Sequence, residues 1–198
     1  MTIPMEASGS TVKGSTRWCR WSTLVLASLL LILFLWPRMG SAREGRPDGG
    51  AAEAIQVAVT THLGDGHRFV KGDGIAFFLS LNQAAHIVAV YEDADHHRIQ
   101  ILPNANQENN FYPRGMFSPF PGKDAGFRFT ITPPFGRERL WVFASQAPIA
   151  DLPGEMLANG LKRLSLDIPT IKARIRAQAG AAYGEYCLPL DTLAAPVH

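Results

Sequence analysis

Apolar and polar positions alternate along most of the chain between residues 55 and 145, which is the period of a half-buried β-strand. The alternating stretches are 55–61, 75–81, 86–91, 98–102, 127–132 and 137–145. Within the last of them, the sequence LWVFA is apolar on both faces, which predicts a central strand. Strands separated by turn signals roughly every 8 to 12 residues are typical of an antiparallel β-sandwich or a small barrel. We therefore predict a mainly β fold of one of these two kinds.

Downstream of these strands, the pattern changes to that of a single helix. Asp167 is a favourable N-cap, Pro169 suits the first turn, and Gly180 suits the position just after the last turn. Ile171 and Ile175 are four residues apart and therefore share one face. Because this apolar face needs a partner, we expect the C-terminal helix to pack on the β-sheet.

A long apolar segment over 21–36 precedes the alternating region. Arg17 and Arg20 lie just upstream of it, and Gly40 and Ala42 occupy the small-residue positions that a signal peptidase reads. This layout predicts a secretory signal peptide. An uncleaved anchor helix is the alternative, but crossing a bilayer takes about 20 apolar residues, and this segment has about 16. In either case, we expect the rest of the chain to lie in the periplasm or cell envelope.

These patterns divide the chain into four parts. Residues 1–42 are the predicted signal peptide or membrane anchor. Residues 43–53, rich in Gly, Pro and charge, are typical of a flexible tether. Residues 54–192 are predicted to form a single β-rich domain, whose last strand covers 182–190. Residues 193–198 are predicted to be a disordered tail.

Charge is distributed unevenly between the leader and the exported part. Up to residue 42 the chain has four basic residues and one acidic residue, whereas the remainder has 15 basic and 16 acidic residues. A domain that neutralises several phosphates needs a basic face. The nearly balanced charge of the exported part therefore argues against nucleic acid as a partner.

The sequence offers few groups with the spacing that catalysis or metal binding requires. It contains no GxSxG, P-loop, HExxH or CxxC motif. His96 and His97 follow Asp93 and Asp95 in a polar hairpin tip, but adjacent histidines on a strand point to opposite faces. Cys187, the single cysteine after the leader, lies in an alternating stretch and is predicted to be structural. We therefore predict no catalytic residue, metal or cofactor; an envelope hydrolase or metal-binding protein using His and Asp side chains or Cys187 is the alternative.

An asparagine-rich segment follows the predicted strand over 98–102. Its candidate binding residues are Asn104, Asn106, Asn109, Asn110, Tyr112, Phe117 and Phe120. In one interpretation these residues are architectural, since asparagines bond their own backbone in turns. In the other, amides beside aromatic rings also form a surface that binds sugars or peptide backbones. Asn104 is expected to fix the turn, whereas Asn109, Asn110 and Tyr112 are expected to lie where the turn does not need them.

Several short motifs give the chain a resemblance to a known family. They comprise Gly72-Asp73, Leu102-Pro103-Asn104, Gly115, Pro134, Gly136, Glu138, Leu140, Val142, Ala144 and Ser145. In this pattern, residues 68–148 resemble the bacterial domain of unknown function 4384. The resemblance implies an exported or membrane-tethered β-domain of the kind that often accompanies protein kinase or peptidase modules. It implies a sensing or adaptor role, although no kinase or peptidase motif is present here.

Together these observations predict an exported, non-catalytic domain of the cell envelope. Its expected partner is an envelope protein or a cell-wall glycan, bound at the asparagine-rich segment. A membrane contact through the N-terminal segment is expected if that segment is not cleaved.

Overall fold

The computed structural model describes residues 54–122, 125–180 and 182–194. The predicted leader over 1–42, the tether over 43–53 and most of the predicted tail lie outside these ranges. Within them, no helix combines the length and the apolar content that a membrane crossing requires.

The described residues form a mainly β fold with one short helix, which confirms the predicted fold class at that level. The strands are β1 Val57–Thr61, β2 Arg68–Val70, β3 Gly74–Ile75, β4 Phe77–Leu81, β5 Ala85–Glu92, β6 Arg98–Leu102, β7 Phe111–Tyr112, β8 Gly115–Phe120, β9 Phe129–Thr130, β10 Arg137–Ser145, β11 Gly154–Met156, β12 Lys162–Leu164 and β13 Tyr183–Leu193. The helix, α1, spans Ile168–Gln178.

The strands are arranged in three sheets. The largest has the order β11-β12-β6-β5-β10-β13-β2, with β7 paired to the start of β5. A three-stranded sheet has the order β1-β4-β8, and β3 pairs with β9. Each of these pairings is antiparallel except β13 with β2, which is parallel. The described sheets do not close on themselves, so the expectation of a small barrel or a wholly antiparallel sandwich needs correction. The physical reason is that alternation specifies the buried face of a strand but not its direction or its neighbour.

Both faces of the large sheet are covered at β5 and β10, which explains why residues 87–91 and 140–144 form continuous apolar runs. On one face, Ile87 and Tyr91 of β5 join a large cluster shared with the three-stranded sheet. On the other face, Val88 and Val90 join a smaller cluster with Phe143 of β10 and the isoleucines of α1. Strand β10 lies between β5 and β13, as its apolar pattern predicted.

Helix α1 begins and ends at the predicted signals and packs on the large sheet. The Asp167 side chain accepts a hydrogen bond from the amide of Thr170 at 2.9 Å, and Gly180 has a φ of 70° just after the last turn. Ile171 and Ile175 are fully buried against β5 and β10. The outer side of the helix is polar, and its Lys172 ammonium lies 4.4 Å from the centroid of the Trp141 ring.

One predicted strand is much shorter than its pattern indicated. The alternation over 127–132 was the clearest in the sequence, yet β9 has only two residues because its partner β3 is equally short. The buried positions still alternate, since Phe127, Phe129 and Ile131 are all buried. The pattern therefore gave the correct inward face but not the extent of pairing.

A groove beside the asparagine-rich segment

Asn104 holds the exit of β6 in place through hydrogen bonds of both its side chain and its backbone. Its side-chain amide donates to the carbonyl of Ile101 at 2.6 Å, and its Oδ1 accepts from the amides of Asn106 and Gln107 at 2.8 and 2.9 Å. The Asn104 backbone amide donates to the carbonyl of Gln107. The side chain is 8% exposed. Asn104 is therefore an architectural residue, as the turn chemistry predicted.

We expect Asn104→Ala to lower the free energy of unfolding by about 1 to 3 kcal/mol, because it leaves the Ile101 carbonyl and the Asn106 amide without their side-chain partner. Urea unfolding monitored by circular dichroism measures this loss. Asn106→Ala is the matched control, because Asn106 is an exposed asparagine of the same turn. Equal destabilisation by the two variants would contradict the architectural role of Asn104.

The outer asparagines are also tied to the sheet, which corrects the expectation that the turn does not need them. The Asn110 side chain donates to the carbonyl of Ile87 at 2.9 Å, and the Asn110 carbonyl accepts from the Ile87 amide at 2.8 Å. Asn109 Oδ1 accepts from the Phe111 amide at 3.0 Å, although Asn109 itself is exposed. These bonds align the segment along the first residues of β5.

Two of the candidate aromatic residues are buried, so they cannot form part of an exposed binding surface. Tyr112 is 8% exposed, lies opposite Ala85 in the β5–β7 pair, and accepts a hydrogen bond from the Gln107 side chain at 3.0 Å. Phe120 is 2% exposed and stacks on Phe77 with ring centroids 5.3 Å apart. The cause is strand pairing, which turns these residues toward the core. Phe117, by contrast, is 60% exposed and lies apart from Asn104, on β8.

A groove of about 380 Å³ opens beside Asn104. Its lining residues are Gln100, Pro103, Asn104, Ala105, Glu108, Asp151, Met156, Gly160 and Lys162. The Ala105 amide donates to the carbonyl of Gly160 at 3.0 Å, which joins the segment to the turn between β11 and β12. Gly160 has a φ of 79°, in the left-handed region that favours glycine, and this conformation shapes the turn.

The groove combines charged, amide and apolar groups. The Lys162 side chain is only 12% exposed and pairs with the carboxylate of Asp151, which is 76% exposed. The Gln100 side chain donates to the carbonyl of Pro103 at 2.8 Å, while its buried Oε1 has no partner among the described residues. Met156, which lines the groove, is 54% exposed. Such a lining can bind a chain with mixed polar and apolar groups.

One motif residue of the family resemblance carries a buried carboxyl group, which lies elsewhere in the core. Glu138 is 2% exposed in β10, and the hydroxyl of buried Tyr91 donates to its Oε2. Burial raises the pKa of Glu138 to about 7; hydrogen bonds from Tyr91 and Thr192 oppose this shift, and the nearby charge of Asp93 adds to it. The sequence contained a signal for this burial, because Glu138 lies two residues before Leu140 and side chains two residues apart in a strand point to the same face.

The side chains considered for catalysis or metal binding either make local contacts or are exposed. Asp93 accepts hydrogen bonds from the amides of Asp95 and His97, and the His97 ring lies 3.0 Å from its Oδ2. His96 is 72% exposed. Burial raises the pKa of the Cys187 thiol, whereas a nucleophilic cysteine needs a lowered pKa. The described residues include no group of three or more His, Cys, Asp or Glu side chains placed to hold a metal ion.

Several motif residues of the family resemblance have structural roles. Asp73 Oδ2 accepts from the amide of Val70 at 2.8 Å and closes a turn. The Ser145 hydroxyl lies 2.7 Å from the carbonyl of Ala147 and 3.1 Å from that of Ala179, so it joins the end of β10 to the end of α1. These two residues therefore stabilise the fold.

Comparison with curated proteins and with solved structures gave no match. Residues 68–148 match the model of the family described as a domain of unknown function (DUF4384), which confirms the resemblance over this part of the chain.

Proposed function

We propose that this chain is an exported, non-catalytic domain of the cell envelope that binds a segment of a partner protein in the groove beside Asn104. The apolar leader in the sequence supports export. The observation that carries the binding proposal is the groove itself, in which the shielded Lys162 ammonium and the exposed Asp151 carboxylate lie close to the apolar Met156.

The lining favours a peptide segment over a neutral sugar chain as the occupant. A peptide presents backbone donors and acceptors together with charged and apolar side chains, which match the amides, the ion pair and Met156. The Asp151 carboxylate is largely solvated, so a partner carboxylate can replace it at Lys162 at little desolvation cost. A cell-wall glycan is the alternative occupant, and the experiment below separates the two.

The proposed binding can be tested by photo-crosslinking in intact cells. A photoreactive amino acid at position 108 or 156 is expected to capture one defined protein, because both positions line the groove. The same amino acid at position 63 is the control, since Leu63 is 51% exposed but does not line the groove. Capture of the same protein from position 63, or of glycan alone from the groove, would contradict the proposal.

A substitution inside the groove gives the second half of this test. We expect Lys162→Met to reduce the crosslinked product from position 156 by about tenfold, because it removes the shielded charge while keeping most of the side-chain volume. Lys172→Met is the matched control, since it removes a lysine charge on α1 instead. If both variants crosslink like the unaltered chain, Lys162 is not part of a binding site.

A further inference from the structure

The three-stranded sheet has one buried face and one face turned away from the core. Its inward residues, among them Val59, Phe77 and Leu79, are buried in the large cluster. Because side chains alternate along a strand, the residues between them face the other way. This outer face comprises Ala58, Thr60, Phe78, Ser80 and Pro119, all exposed or partly exposed. In register, Thr60 lies opposite Phe78, and Phe78 lies opposite Pro119.

Phe117, on the same sheet, has an unusual backbone conformation. Its φ is 61°, in the left-handed region that a bulky side chain rarely adopts. The ring is 60% exposed, so packing inside the described part of the chain offsets little of this strain. Residues with a strained backbone cluster at active sites and ligand-binding sites. This conformation is therefore the first observation that points to a binding role.

A second groove, of about 470 Å³, lies on this sheet. It is lined by Gln56, Val57, Ala58, Ser80, Leu81, Asn82, Arg114 and Gly115. The side chains of Gln56, Ser80 and Arg114 supply its polar groups, whereas the Asn82 amide already bonds the backbone of Ala54 and Gln56. The lining has no carboxylate. Ala58 and Ser80 belong to both the outer face and this groove. The groove is therefore continuous with the outer face.

The β8 edge of this sheet is poorly suited to binding another strand. β8 is an edge strand, but Pro119 has no amide hydrogen to donate, and the register with β4 is irregular between Leu79 and Leu81. A partner that adds a strand needs a regular, unblocked edge. Recognition at the β8 edge therefore uses side chains.

We propose that the outer face and the second groove bind a chain of hexose or N-acetylhexosamine units, with the Phe117 ring stacked on one sugar. Hydroxyl and amide side chains match the many donors and acceptors of a sugar chain, and an aromatic ring matches its apolar face. The single charge in the lining, on Arg114, suits a neutral or weakly anionic chain. This site is separate from the groove beside Asn104, so either proposal can fail alone.

The test uses the full-length chain purified in detergent, with two probes: the tetramer of N-acetylglucosamine and purified peptidoglycan sacculi. We expect the unaltered chain to bind at least one of the two probes. Phe117→Gly is expected to weaken that binding by at least about tenfold without lowering the melting temperature, because glycine accepts a φ of 61°. Phe117→Tyr, which keeps an aromatic ring, should retain the binding.

Two controls make the result specific. Phe111→Ala removes another exposed ring, on β7, and should leave glycan binding within about twofold. Lys162→Met should also leave it unchanged. The proposal is overturned if the unaltered chain binds neither probe, if Phe117→Gly binds like the unaltered chain, or if Phe117→Tyr loses binding as fully as Phe117→Gly.

Discussion

A chain that ends at Ser145 is expected to be insoluble or to lose cooperative unfolding. The truncation removes β13, which pairs with β10 along nine residue pairs and lies between β10 and β2. It also removes α1, which covers the other face of β5 and β10. Both faces of the central strands would then lose part of their cover.

The size of the expected loss of stability follows from the buried side chains that the truncation removes. Leu188 and Leu190 of β13 are buried on one face of the sheet, and Ile171 and Ile175 of α1 are buried on the other. Burying one such side chain contributes roughly 1.5 to 3 kcal/mol, so these four supply about 6 to 12 kcal/mol. Since the net stability of a domain is typically about 5 to 15 kcal/mol, most of it would disappear.

Urea unfolding and solubility measurements on the truncated chain check this expectation. A chain that ends at Ala194 is the matched control, because it keeps every described strand and the helix. It should unfold like the full chain. If the chain ending at Ser145 gave the same unfolding midpoint as this control, the C-terminal segment would be an independent appendage.

Stability is expected to fall as pH rises from about 4.5 to about 7, because of the buried Glu138 carboxyl. Burial raises its pKa to about 7 in the folded chain, against an ordinary value of 4.5. Between these two values an unfolded chain has released the proton while the folded chain still holds it. Folding therefore takes up a proton in this window, and the free energy of unfolding decreases from about pH 4.5 to about pH 7. The decrease from this group is on the order of 3 kcal/mol.

Urea unfolding at pH 5 and pH 8 measures this difference. Glu138→Gln should remove most of it, because an amide does not titrate but can still accept a hydrogen bond from Tyr91. Burial raises the pKa of Tyr91 above its ordinary value, so this phenol stays protonated throughout the window. Glu155→Gln, at an exposed position on β11, should leave the pH dependence unchanged. The same slope in the Glu138→Gln variant and in the unaltered chain would show that another group is responsible.

The sequence predicted the elements whose signals are local. Helix α1 was predictable because Asp167, Pro169 and Gly180 act within one turn of its ends. Strands β5 and β10 were predictable because each is long enough to display its period. The role of Asn104 was predictable for the same reason, since its partners lie within three residues of it.

The features that the sequence did not predict depend on contacts between distant residues. Strand β7 has two residues, too few to show an alternation, and Tyr112 turns inward because it pairs with Ala85. The groove beside Asn104 was missed because its other wall, with Met156 and Lys162, comes from β11 and β12. The parallel pairing of β13 with β2 was missed because no local pattern encodes strand direction.

The contact between Lys172 and Trp141 provides an optical reporter for the helix. The other three tryptophans of the chain, Trp18, Trp21 and Trp36, all belong to the predicted leader. After cleavage of that leader, tryptophan fluorescence would come from Trp141 alone, which also donates a hydrogen bond to Glu92 at 3.1 Å. Since the ammonium lies over the indole ring only while α1 is docked, emission from Trp141 would report the docking of the helix on β10.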